Sequence, residues 1–128
     1  MVDAYYQAGK DGRLTDFGRY LHEDFVVTAP NYFPWGGTHA GAGFFRDEVL
    51  PTLPDVLDFT RCTYDRFFGA GERAVALITI GVTGTSDLIK ISEHWTVREG
   101  LATSIWVAYF EPQALLRKLA LPLSVLSD

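Results

Sequence analysis

Cysteine occurs once, at Cys62. A lone thiol excludes an internal disulfide and any paired-thiol zinc or redox site. Basic residues are scarce too: eleven Lys and Arg stand against sixteen Asp and Glu, for a formal charge of -5, and apart from Arg117-Lys118 they are scattered singly. That balance argues against nucleic acid and anionic membrane as partners. The histidines at 22, 39 and 94 have neither ligand spacing nor partner thiols, so no metal is expected. No glycine-rich phosphate loop follows a strand, which leaves nucleotide cofactors without support. No apolar run approaches the ~20 residues of a membrane helix, and the N-terminal MVDAYYQAGK has no apolar signal core. The expectation is a soluble cytoplasmic protein that uses no cofactor.

What is present is apolar. Of 128 residues, 48% are hydrophobic and 14% aromatic. That supplies one core without staples, so residues 1–128 are expected to form a single domain. The pattern reads as helices first and sheet second. Residues 2–9 form a first helix, and Thr15 caps a second that runs to about His22. Residues 25–29 are a strand stopped by Pro30, and residues 31–38 an aromatic loop rich in Gly and Pro. A third helix spans about 41–50 and ends at Pro51.

From Asp55 the period becomes two. Strands are expected at about 56–67, 73–84, 87–98 and 101–110, joined by turns at Gly69-Ala-Gly71, Gly84-Thr-Ser-Asp87 and Arg98-Glu-Gly100. Pro112 opens a last helix that is apolar at 115, 116 and 119. The sum is an α+β domain with helices on one face of an antiparallel meander. In the last strand Trp106, Ala108 and Phe110 share one side, and Ile105, Val107 and Tyr109 the other. Both rows are apolar. Helices on one side leave the second row bare, so a homodimer through the outer sheet face is expected.

The segments Leu21-His-Glu-Asp-Phe-Val-Val, Thr38-His-Ala-Gly41, Phe44-Phe-Arg-Asp-Glu-Val-Leu-Pro, Glu93-His-Trp-Thr-Val-Arg-Glu-Gly and Ala108-Tyr-Phe-Glu-Pro-Gln-Ala-Leu, in this order, resemble the SnoaL-like branch of the nuclear transport factor 2-like superfamily. The resemblance implies a conical half-barrel of curved antiparallel sheet, with N-terminal helices filling its mouth around an apolar pocket. Polyketide cyclases, ketosteroid isomerase, limonene epoxide hydrolase and non-catalytic binding proteins share that frame, so fold alone does not choose a reaction. The row of Trp106, Ala108 and Phe110, with Trp95 and the loop aromatics Tyr32 and Trp35, is assigned to the pocket wall.

Two catalytic positions implied by the resemblance are altered. The isomerase base before the proline is similar in position to Ala29, which is kept as a pocket residue. The Trp-x-Asp of the epoxide hydrolase reads Trp106-Val-Ala108. One position is retained in kind: Glu93-His94-Trp95 is similar to the isomerase strand that carries an aspartic acid. By alternation Glu93 shares its face with Ile89, Ile91 and Trp95. A carboxyl on an apolar face suits proton transfer or hydrogen-bond donation. Tyr5 or Tyr6 resembles the isomerase's oxyanion donor, and His39, at the rim, is a further candidate base. Asp58 and Arg61 lie on a strand whose alternation does not orient them.

These residues point to a cofactor-free acid-base cyclase or isomerase. Its substrate would be a small hydrophobic natural-product intermediate, polyketide-like or epoxide-bearing, and epoxide opening is a variant. The alternative is a non-catalytic carrier of such a molecule.

Overall fold

The computed structural model describes residues 20–121. The expected first helix, and the start of the second, fall outside them. The second helix does not reach His22, because Leu21 and His22 already belong to β1 (Leu21–Ala29). Leu21, Phe25, Val27 and Ala29 are buried along that strand, and Pro30 ends it.

Residues 31–36 turn the chain into a short strand, β2 (Gly37–Ala40), which pairs antiparallel with β1. The sequence reading had placed part of β2 in the loop. A helical segment follows, mostly of π type (Phe44–Val49), with Phe45 and Val49 buried. Pro51 and a 3-10 turn (Leu53–Asp55) lead into the meander.

Four long strands follow, close to their expected bounds: β3 (Leu57–Ala70), β4 (Arg73–Val82), β5 (Leu88–Arg98) and β6 (Leu101–Phe110). They pair antiparallel in sequence. β1 then joins β6 in parallel, giving one mixed six-stranded sheet in the order β2-β1-β6-β5-β4-β3. Breaks in register between Asp58 and Cys62, and between Tyr64 and Arg66, bend β3. Over the first break Asp58 and Arg61, which alternation had left unoriented, form an ion pair at 2.8 Å. Arg61 also donates to the Val82 carbonyl at 2.9 Å.

The hairpin from β5 to β6 fixes the faces of the site. Its turn is Glu99-Gly100, with φ of 54° and 80°, left-handed backbone that Gly100 adopts without strain. A plain two-residue hairpin would set Glu93 opposite Trp106. The pairs run Arg98 with Leu101 and Val97 with Ala102, but then Thr96 with Ser104, so Thr103 is an extra residue. Its hydroxyl donates to the Thr96 carbonyl at 3.2 Å. This bulge shifts the phase by one, and Glu93 faces Val107 instead, while His94 faces Trp106.

Trp95, Phe25, Ile80 and Ile105 are among the most fully buried side chains of a single core on the inner side of the sheet. Each contributes roughly 1.5–3 kcal/mol by leaving water. The last helix, α1 (Gln113–Lys118), inserts Leu115 and Leu116 into that core. Trp106 and Phe110 remain 53% and 66% exposed on the opposite side, so α1 does not cover the outer face.

Candidate functional site

The inner side of the sheet encloses a cavity of about 60 Å³. Strand alternation delivers its walls. Tyr64, Ile78, Ile91 and Tyr109 form one cross-strand row of the wall, and Glu93 and Val107, beside Ala76, the next. Ala76, directly beside Glu93 on β4 and fully buried, leaves room for the longer side chain. Phe45, Val49 and Leu50 of the helical segment close the cavity over the sheet, and Trp35 closes it from the loop. Among the described residues no Lys, Arg or His lines it.

Glu93 therefore stands where alternation predicts, on the wall of an apolar cavity. Its partners differ from the expected ones. Trp106, Ala108 and Phe110 were assigned to the pocket, yet they lie on the outer face, and Ile105, Val107 and Tyr109 line the cavity. The Thr103 bulge is the reason. Trp95 shares Glu93's face but is core, with its ring 6.4 Å from that of Phe25. Ala29 lines the cavity, as expected.

The aromatic loop divides between roles. Trp35 is on the wall. Tyr32 sits further out, half-buried, with its ring 4.8 Å from Phe33, and burial raises its phenol above the ordinary value. His39 does not line the cavity: its Nε2 donates to the Gly36 carbonyl at 2.7 Å and its ring stacks on Phe44 at 4.1 Å, so it braces the loop. His94 is exposed on the outer face, 2.8 Å from the Ser92 hydroxyl and edge-on to Trp106. Tyr5 and Tyr6 lie outside the described residues.

The residue that sequence reasoning missed is Tyr109. Its phenol lies deep in the protein, and the half-buried residue lines the inner cavity while also bordering the open grooves outside it. The Trp35 indole is the phenol's polar neighbour and partly opposes the rise of its pKa. Phe33, buried, stacks on Trp35 at 4.9 Å and tilts against the Tyr109 ring at 4.6 Å. Burial foremost, and then the charge of Glu93, push the Tyr109 phenol far above its ordinary pKa, so it stays a neutral donor. A signal existed: Tyr109 alternates with Ile105 and Val107, and only the bulge hid that their row faces inward.

A second, open groove of about 490 Å³ lies on the outer face, bordered by Asp65, Lys90, Ala108 and Phe110. It is larger than the inner cavity, but solvent bathes it. Two of its charges are paired, with Asp65 accepting from Thr79 at 2.6 Å and from Lys90 at 3.2 Å. The enclosed cavity, with an acid and a phenol on an apolar wall, is the stronger candidate for ligand chemistry. Among the described residues no three His, Cys, Asp or Glu side chains gather as a metal set would.

A curved mixed sheet folded around an inner cavity defines the NTF2-like, ketosteroid isomerase-like class, which solved structures share. TerC, co-crystallised with polyporic acid, is similar at 27% identity over 85% of this chain and 88% of its own, with a TM-score of 0.72. An NTF2-like protein from Burkholderia pseudomallei is similar at 25% identity over 91% and 92%, with a TM-score of 0.72. A protein of ketosteroid isomerase-like fold from Catenulispora acidiphila, in complex with trimethylamine, shares the fold at 17% identity over 94% and 92%, with a TM-score of 0.69. The family model for the SnoaL-like domain matches residues 2–105, and the chain belongs to that family. No curated protein matches the sequence. No helix among the described residues is long and apolar enough to cross a membrane.

Proposed function

We propose that the protein is an acid-base catalyst that binds a small, neutral, largely apolar molecule in the inner cavity and rearranges it by proton transfer through Glu93, as an isomerase or cyclase. The observation that carries this reading is the placement of one carboxyl on an otherwise apolar and aromatic wall. Glu93 as a carboxylate takes a proton from a carbon next to a carbonyl. The C–H electron pair forms the C=C bond, and the carbonyl pair moves onto an oxygen held by a hydrogen bond. Return of the proton to another carbon isomerises the molecule, and attack of the enol carbon on a second group closes a ring. Relatives crystallised with polyporic acid and with trimethylamine support a small-molecule pocket. A natural-product intermediate, polyketide-like or epoxide-bearing, fits the apolar lining.

At about 60 Å³ the cavity is smaller than the ~150 Å³ apolar cavity that holds one benzene ring, so a ligand must part the walls on entry. The carrier reading draws on Ala29, a cavity residue at the position where the isomerase it resembles carries an aspartate. Acetophenone in D2O separates the two. The wild-type protein is expected to speed exchange of the methyl protons, followed by loss of their NMR signal. Glu93→Gln is expected to slow that exchange by about 100-fold or more. Equal exchange in both proteins contradicts the role of Glu93, and binding without exchange in the wild type establishes a carrier.

The outer face, with Trp106 and Phe110 exposed, is the proposed surface for a homodimer.

A further inference from the structure

Resting on the acid-base reading, we infer that Tyr109 is the hydrogen-bond donor that holds the ligand's oxygen in the inner cavity, and that Trp35 is the positioning residue that aims it.

The aromatic packing supports this. Phe33 packs against the Tyr109 ring at 4.6 Å and is itself stacked on Trp35 at 4.9 Å, so one aromatic stack fixes both rings on the cavity wall. An indole N–H can only donate, so Trp35 beside the phenol faces its oxygen and leaves the phenol hydrogen to donate elsewhere. Donor and base also share the cavity. Tyr109 lies two residues beyond Val107, the cross-strand partner of Glu93, so the two enter it from diagonal positions whose backbones are roughly 7–8 Å apart. The ligand class follows: a neutral molecule with one acceptor oxygen, a ketone, quinone or epoxide, on an apolar body. Carboxylates are disfavoured, since Glu93 faces the same space and no cation lines it among the described residues.

The test uses two probes of one shape, acetophenone labelled with ¹³C at the carbonyl and α-methylstyrene, in which a methylene replaces the oxygen. Tyr109→Phe is expected to weaken acetophenone binding about fivefold, the worth of one neutral hydrogen bond, and to leave α-methylstyrene unchanged. The bound carbonyl carbon is expected downfield of its position in cyclohexane in the wild type, and to move back upfield in Tyr109→Phe. Trp35→Phe, which also alters the cavity wall, is expected to weaken the ketone more than α-methylstyrene. Equal weakening of both probes, or a wild-type carbonyl shift at the cyclohexane value, overturns the inference while the cavity reading stands. The wild-type shift decides the matter even if Tyr109→Phe does not fold. Failure of both probes to bind the wild type overturns the cavity reading and this inference with it.

Discussion

At the scale of single residues, Thr103 decides which side chains meet Glu93. Alternation placed Glu93 correctly because its own strand is regular, and Ile89 and Ile91 mark the buried phase. The opposite strand could not be read the same way. Both of its rows are apolar, and one extra residue next to a two-residue turn inverts them. Tyr109 was therefore legible as a sheet residue but not as a wall of the site, and Trp106, equally legible as a sheet residue, reads as wall although it lies on the outer face. Deleting Thr103 removes the extra residue: Ser104 then follows Ala102 and still pairs with Thr96, so Glu93 keeps Val107 as its partner. The variant is expected to retain the sharp near-ultraviolet circular dichroism of packed aromatics at 25 °C and to bind acetophenone. Loss of both would contradict a role for Thr103 limited to setting the phase.

At the scale of elements, the loop between β1 and β2 does more than connect. Phe33 N donates to the Pro30 carbonyl at 3.2 Å and Gly36 N to the Phe33 carbonyl at 2.9 Å, so successive turns point Phe33 and Trp35 inward. Gly36 permits this packing: a Cβ there would lie 2.0 Å from the Pro30 oxygen. Composition revealed an aromatic loop near the pocket. It did not reveal that His39 braces the loop from β2, since a histidine in a polar stretch fits a rim as well as a strut. Gly36→Ala is expected to cost about 2 kcal/mol, within the range for forcing atoms into a packed site, and to weaken acetophenone binding by loosening the Trp35 stack. Urea unfolding and a binding titration check both. A stability loss below about 0.5 kcal/mol, the range of surface substitutions, would mean that the loop yields freely.

At the scale of the molecule, the meander was readable because its turns carry Gly and its strands alternate. The parallel pairing of β1 with β6 was not, because it joins segments far apart in sequence and leaves no local mark. Closing the sheet this way sets Val27 and Ala29 beside the β6 row and completes the cavity. It also leaves an outer face bearing Trp106, Phe110, Phe68 and Leu88 in water. Phe110→Glu is expected to convert a dimer to a monomer in sedimentation equilibrium, without loss of the circular dichroism of the fold. A wild-type protein that sediments as a monomer at the same concentration rules that surface out. The central claim concerns the inner face, and a crystal structure with acetophenone tests it most directly. The account predicts the ring between Trp35 and Ile78, its oxygen at Tyr109 and its methyl group toward Glu93. A ligand found only in the outer groove beside Lys90 and Phe110 would contradict it.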